Sequence, residues 1–320
     1  MNLKGETALN QAFQIEEYKY DNPWQAKARK HQSDFREQEM KVPAVRNTKN
    51  SGCYGNVISA EDGAKGVNFY SSFWDEIKKD LKGKTGAILT NVLRSEHIPY
   101  NVFFPMNRDL NKAAALFRTL TGYDIKSINN ILIEYAPAPK EEYLNDLTSF
   151  DAYVDYTDSL DRPCGIGIEV KYTELGYKIG MGEEQKINDK DSTYYRITRE
   201  SGFFDYGDMS EEEFIKYNFG NHSRGDDLRQ LWRNHILGLS MLQHKDIESF
   251  LSIHLYPSFN EHFNPETSTV LSDYASLLND QGKRTFMPLT FETLFAAMKE
   301  CGMDKVDEGW IPYLIRRYII

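Results

Sequence analysis

The stretch "SFDAYVDYTDSLDRPCGIGIEVKYTE" (Ser149–Glu174) holds two strand-like runs around a turn, with acids where a purely structural strand would carry apolar side chains. Successive side chains of a strand point to opposite faces. Ile166, Ile168 and Val170 therefore share a core-facing side, and Gly167, Glu169 and Lys171 share the other. In the preceding run Asp151, Tyr153 and Asp155 also share a face. The intervening "TDSLDRPC" (157–164) carries the Asp, Ser and Pro of a hairpin loop. A hairpin folded near Leu160 sets Asp151 opposite Glu169 and Asp155 opposite Gly165, within a register step. Directly opposed carboxylates repel. A divalent cation between them turns that repulsion into ligation, and Mg²⁺ prefers oxygen ligands and retained waters. Lys171, on the same face, can orient or deprotonate a water or offset charge on a pentavalent phosphate. The same spacing also fits a plain salt bridge between Lys171 and either acid on a solvated sheet face.

A chain of 320 residues suffices for one elaborated domain or two modest ones. With 40% hydrophobic and 27% charged residues it has the makeup of a globular protein rather than a disordered one. No apolar run approaches the roughly 20 residues of a membrane span, and the first residues lack a signal-peptide pattern. Cys53, Cys164 and Cys301 are far apart and odd in number, which fits neither a disulfide framework nor a zinc site. The expected setting is the cytoplasm, with no membrane partner. The net charge of −10 opposes a polyanionic partner on average, although local basic patches overcome such a field.

Residues 1–50 are polar and expected to be helical in part, with Pro23 breaking the pattern. Residues 51–67 suggest a loop. Helical spacing follows in "FYSSFWDEIKKDLKGK" (69–84), in "TGAILTNVLRSEH" (85–97) and, with a Gly stop, in "RDLNKAAALFRTLTG" (108–122). "INNILIEYAP" (128–137) then adds a third strand-like run beside the hairpin. A charged stretch spans 175–222. "DDLRQLWRNHILGLSML" (226–242) is helical, with Leu228, Leu231, Trp232 and Ile236 on one face. "ESFLSIHLYP" (248–257) is a strand, and "PLTFETLFAAMKECG" (288–302) is a helix. The order is that of an α/β fold with a mixed sheet. No HExxH spacing occurs, and "GIG" and "GMG" lack the context of a nucleotide fingerprint.

"SFDAY … GIEVKYTE" resembles the signature of the PD-(D/E)XK nuclease superfamily, in which an Asp on one strand and an acid-x-Lys on the next bind metal and cut DNA. On that resemblance the first acid is Asp151, the second Glu169 and the lysine Lys171, with Phe150 in the motif's proline position. "SEHIPYNVFFP" (95–105) is similar to a segment of a bacterial restriction-endonuclease-like subgroup, with Glu96 where Gln is usual and Asn101 retained. "QLWRNHILG" (230–238) is similar to that subgroup's helix after the lysine strand, carrying Gln230, Arg233 and Asn234. The resemblance covers roughly residues 85–320.

It implies a restriction-endonuclease-like α-β-β-β-α-β core, with a mixed central sheet flanked by helices, over residues 71–320. A mainly helical N-terminal extension would occupy residues 1–70. It further implies Mg²⁺, with Mn²⁺ able to substitute, held by Asp151, Glu169 and the Val170 carbonyl, with Glu96 and Glu134 as further ligands. Gln230 would bind phosphate or position the nucleophile. Arg229 and Arg233, four apart on one helix, would contact DNA together with Asn101. Each of these flanking residues also has an ordinary reading as a surface or salt-bridged side chain. The lysine- and arginine-rich patches at Lys27, Arg29 and Lys30, and at Lys78, Lys79, Lys82 and Lys84, share both readings. Glu174 falls on the opposite face of an extended strand and is set aside.

The implied activity is metal-dependent hydrolysis of DNA by a restriction or genome-defence endonuclease. A catalytically silent binding module of the same fold is the alternative, and a repair exonuclease or a ribonuclease would use the same site. A homodimer cutting both strands stays open.

Overall fold

A computed structural model of the chain describes residues 14–47 and 52–320. Five strands form one sheet in chain order: β1 (Ser127–Tyr135), β2 (Phe150–Thr157), β3 (Pro163–Val170), β4 (Ser249–Tyr256) and β5 (Phe286–Thr290). β1, β2 and β3 pair antiparallel, as short connections permit, whereas β3–β4 and β4–β5 are parallel. The crossover from β3 to β4 consumes residues 171–248, and it carries the helices Met181–Asn188, Thr193–Ser201, Glu211–Phe219 and Arg224–His244.

The β2–β3 turn is fixed by Asp158. Its carboxylate accepts the Leu160 amide at 3.0 Å, the Arg162 amide at 2.9 Å and the Arg162 Nε at 2.8 Å. That clamp sets a register of Asp155 with Gly165 and Ala152 with Ile168. One step further along, the Val170 amide donates to the Asp151 carboxylate at 2.7 Å.

Both faces of the sheet are covered. Ile166, Ile168 and Val170 join Leu251, Ile253 and Leu255 beneath the helices Leu110–Thr121, Phe291–Glu300 and Trp310–Tyr318. On the other face Phe150, Tyr153 and Phe250 meet residues of Thr193–Ser201 and Arg224–His244. Each buried aliphatic or aromatic side chain contributes about 1.5–3 kcal/mol. Gly167 has no side chain because the Phe150 ring lies across it: a Cβ there would stand 2.4 Å from that ring. Gly238 brings the long helix onto β4 in the same way, with a Cβ position 2.0 Å from the Phe250 ring.

Several expectations change. Pro23 starts a helix, Pro23–Phe35, rather than breaking one. Its missing N–H is harmless in a first turn, and Asn22 and Gln25 form a reciprocal cap. Residues 85–97 are not one helix. Asn91 is extended and bridges to Val57, leaving a short Ala87–Thr90 turn and a 3₁₀ turn at Ser95–His97. The segment 288–302 begins as β5 and becomes helical only at Phe291, where the Thr290 hydroxyl caps the Thr293 amide at 3.2 Å. Expectations for residues 1–13 and 48–51 lie outside the described residues.

The described part of the N-terminal segment packs onto the sheet's helical cover. Trp24 and Ala28 are buried, and Gln32 donates to the Tyr172 hydroxyl at 2.8 Å and to the Arg317 carbonyl at 2.5 Å. No helix among the described residues is long and apolar enough to cross a membrane.

Candidate functional site

At the end of β3 the chain puts a carboxylate and an amine on one face, and both are nearly sealed: Glu169 is 7% exposed and Lys171 is 6% exposed. The Lys171 ammonium donates to Glu169 Oε1 at 2.5 Å. The long helix Arg224–His244 runs beneath this face and supplies two amides one turn apart. Gln230 Nε2 donates to Glu169 Oε1 at 2.5 Å, and Asn234 Nδ2 donates to Oε2 at 2.6 Å. Glu169 is thus held by three side-chain donors, which fixes its orientation and offsets much of the desolvation of a buried charge. Asp151 accepts the Val170 amide through Oδ2 only. The two acids, Lys171 and Gln230 line one cavity of about 530 Å³, which Glu96 and Glu174 also border.

Burial, and then the Glu169 charge, push the Asp151 carboxyl well above the usual carboxylate range; Lys171 and the Val170 amide oppose this without cancelling it. Burial draws the Lys171 ammonium down, but the charges of Glu169, Asp151 and Glu174 outweigh it and leave the group above an ordinary lysine. Lys171 therefore faces the cavity as a cation that donates hydrogen bonds.

A family model of the PD-(D/E)XK nuclease superfamily matches residues 19–320, nearly the whole chain. The chain belongs to the PD-(D/E)XK nuclease superfamily. No curated protein and no solved structure matches it.

Nucleases of this superfamily generally use divalent metals, so the donor set can be tested for one. Among the described residues no three His, Cys, Asp or Glu side chains are grouped to hold an ion. The site offers two carboxylates. Glu169 Oε1 already takes two donors, but Oε2 takes one, and Asp151 Oδ1 takes none among the described residues. A carboxylate has about four lone-pair positions, so acceptor capacity remains on both acids. Two carboxylates completed by water and a carbonyl is the arrangement Mg²⁺ favours, and a cation would relieve the penalty that lifts Asp151. The residues fit a hard divalent ion.

The remaining superfamily-derived expectations fall in different places. Glu96 reaches the cavity rim, paired there with Arg94. Glu134 does not line the cavity: it adopts a left-handed backbone at φ 52°, which breaks the strand alternation, and it pairs with Lys84. Arg229 is fully buried and braces backbone, donating to the carbonyls of Phe219 at 2.8 Å and Tyr177 at 3.0 Å as well as to Asp226. Arg233 is bound by Glu183 and by Thr148 at 2.6 Å. These arginines do share a helix side, but that side faces protein. Asn101 lies in the core, bonded to the Tyr70 amide at 2.8 Å and the Tyr318 hydroxyl at 2.8 Å.

Two residues of the cavity and its supports have no role in the sequence reading. Asn234 is named there on the helix after the lysine strand, and its spacing of one helical turn from Gln230 is the signal for its role on Glu169. Glu174 borders the cavity because strand geometry stops at Val170. Its oxygens accept the amides of Ser95 at 3.0 Å, Tyr172 at 2.8 Å and Thr173 at 3.0 Å, which ties the 91–97 segment to the exit of β3.

Proposed function

We propose that the chain is a Mg²⁺-dependent deoxyribonuclease acting in genome defence or restriction, with Mn²⁺ able to replace Mg²⁺. The observation that carries this reading is the common cavity of Asp151, Glu169 and Lys171, with Glu169 gripped by Gln230 and Asn234. Asp151, Glu169 and the Val170 carbonyl would hold the ion. When bound, it polarises the phosphodiester and acidifies a water. Gln230 and Asn234 keep the Glu169 carboxylate from rotating. Lys171, a donor held within the same cavity, offsets the negative charge that grows on the phosphate oxygens as water adds. The new bond joins the water oxygen to phosphorus, the bond from phosphorus to the 3′ oxygen breaks, and that oxygen takes up a proton, leaving a 5′ phosphate. A cytoplasmic site of action fits the free thiols of Cys53, Cys164 and Cys301.

Supercoiled plasmid and circular single-stranded DNA, incubated with the protein in Mg²⁺, Mn²⁺ or EDTA, test the proposal. Cutting is expected with either metal and none with EDTA, and Lys171→Ala is expected to lower the rate by about 10²–10⁴-fold. Folded protein that cuts neither DNA with either metal would contradict it, and undiminished cutting by Lys171→Ala would remove the lysine from the chemistry.

A further inference from the structure

Part of the cavity's wall is built by a stretch of chain remote in sequence from the acids. Tyr18, Arg29 and Tyr54 line it. Resting on the nuclease reading above, we infer that this wall seats an unpaired base, so that the strand entering the site is single-stranded where it is cut.

The partition is pre-arranged. The Tyr18 and Tyr54 rings meet at 62° with centroids 4.8 Å apart, and the Arg29 guanidinium lies 4.8 Å from the Tyr18 ring centroid. Arg29 is itself held, by Asp21 at 2.5 Å and by Asn56 at 2.9 Å. Both tyrosines are half-buried and line the cavity. A second cavity of about 770 Å³ is lined by the same three residues. It is bordered by Lys19, Lys27 and Lys30, the last paired with Asp34 at 2.6 Å, and also by Glu16, Glu17 and Asp21. Both volumes fall within the ~300–1,000 Å³ range of sites that enclose a small ligand, the scale of one or two nucleotides. The two cavities thus share Tyr18, Arg29 and Tyr54, one holding the acids and the other bordered by lysines.

Charge argues for one strand rather than two. A duplex carries about one negative charge per 1.7 Å, and its binding needs a trough of cations. Here Arg29 is engaged by Asp21, Arg94 by Glu96 and Lys171 by Glu169, and the carboxyls of Asp151 and Glu174 line the same cavity without a cation of their own among the described residues. A single strand needs fewer cations: binding combines a basic groove along one backbone, for which Lys19 and Lys27 border the second cavity, with base stacking on aromatic side chains that accepts any base. A single strand and a single-stranded flap both present this chemistry.

The test is binding and cutting of one sequence as a single strand, as a blunt duplex and as a duplex with a single-stranded flap. Binding is read by anisotropy in Mg²⁺ with Lys171→Ala protein, so that the DNA stays intact. The single strand is expected to bind at least tenfold more tightly than the blunt duplex. Tyr18→Leu and Tyr54→Leu should each cost about tenfold on the single strand and little on the duplex, while Tyr18→Phe and Tyr54→Phe retain binding. A strand carrying 2-aminopurine should lose fluorescence on binding, a stacking signature that needs no tyrosine variant. Equal affinity for strand and blunt duplex, or unquenched 2-aminopurine in the bound strand, would overturn the inference. Preferred binding of the flap over the blunt duplex supports it. Tight, quenched binding of the single strand without cutting by the unsubstituted protein supports the stacking wall and contradicts the hydrolytic reading instead.

Discussion

At the scale of single residues, the site depends on how Glu169 is held. A carboxylate at 7% exposure with Lys171, Gln230 and Asn234 on its oxygens has one orientation open to it. Outer donors of this kind tune metal affinity, and losing one weakens binding by about 10–100-fold. Asn234→Ala should therefore weaken Mg²⁺ and Mn²⁺ binding by that factor in calorimetric titration while the protein stays folded. Unchanged affinity would show that Asn234 only fills space. That Asp151, Glu169 and Lys171 come together in one cavity was legible because strand alternation is a strict rule that one sequence obeys visibly. Glu134 was not, because its left-handed backbone at φ 52° departs from that rule without a glycine to announce it. Arg229 and Arg233 were misjudged for another reason: a helical repeat says that two side chains share a side, but not whether that side meets solvent or protein.

At the scale of elements, the β2–β3 hairpin decides whether there is a site at all. A slip of one residue would turn Asp151 to the other face, and the Asp158 carboxylate opposes that slip by closing the turn on the Leu160 and Arg162 amides. Asp158→Ala should lower the melting temperature and also weaken metal binding, although Asp158 is remote from the acids. A variant that melts lower yet binds metal normally would show that the strands alone fix the register. The hairpin was readable from its turn residues and alternation. β5 was not: it is short, lies at the sheet edge and contains Pro288, which an edge strand tolerates and an inner one does not. The break at Asn91 was hidden as well, since its backbone bridges to Val57 and its side-chain Oδ1 accepts from Asn56 Nδ2 at 2.8 Å, both partners distant in sequence.

At the scale of the whole molecule, a sheet covered on both sides seals titratable groups in its interior. Burial pushes His235 down to about 3, with its nitrogens against the Tyr274 and Thr285 hydroxyls at 2.8 Å. A histidine whose folded value lies below its unfolded value of about 6.5 costs nothing above that pH. It then withdraws stability as pH falls from 6.5 toward 3, by about 1.4 kcal/mol per pH unit. The Asp151 carboxyl, raised in the fold, works in the opposite sense. The histidine's share is thus isolated by comparing the chain with His235→Gln, whose stability in urea should fall less steeply between pH 6.5 and 4.5; identical slopes would contradict a buried neutral histidine. The N-terminal wall of the cavity illustrates what local patterns conceal, because Tyr18 and Tyr54 meet the acids only through tertiary packing. The most direct test of the shared cation is Mn²⁺ binding followed by electron paramagnetic resonance. One tightly bound Mn²⁺ per chain is expected, lost in both Asp151→Asn and Glu169→Gln. Retention of that ion by either folded variant, or no ion bound to the unsubstituted chain, would contradict it.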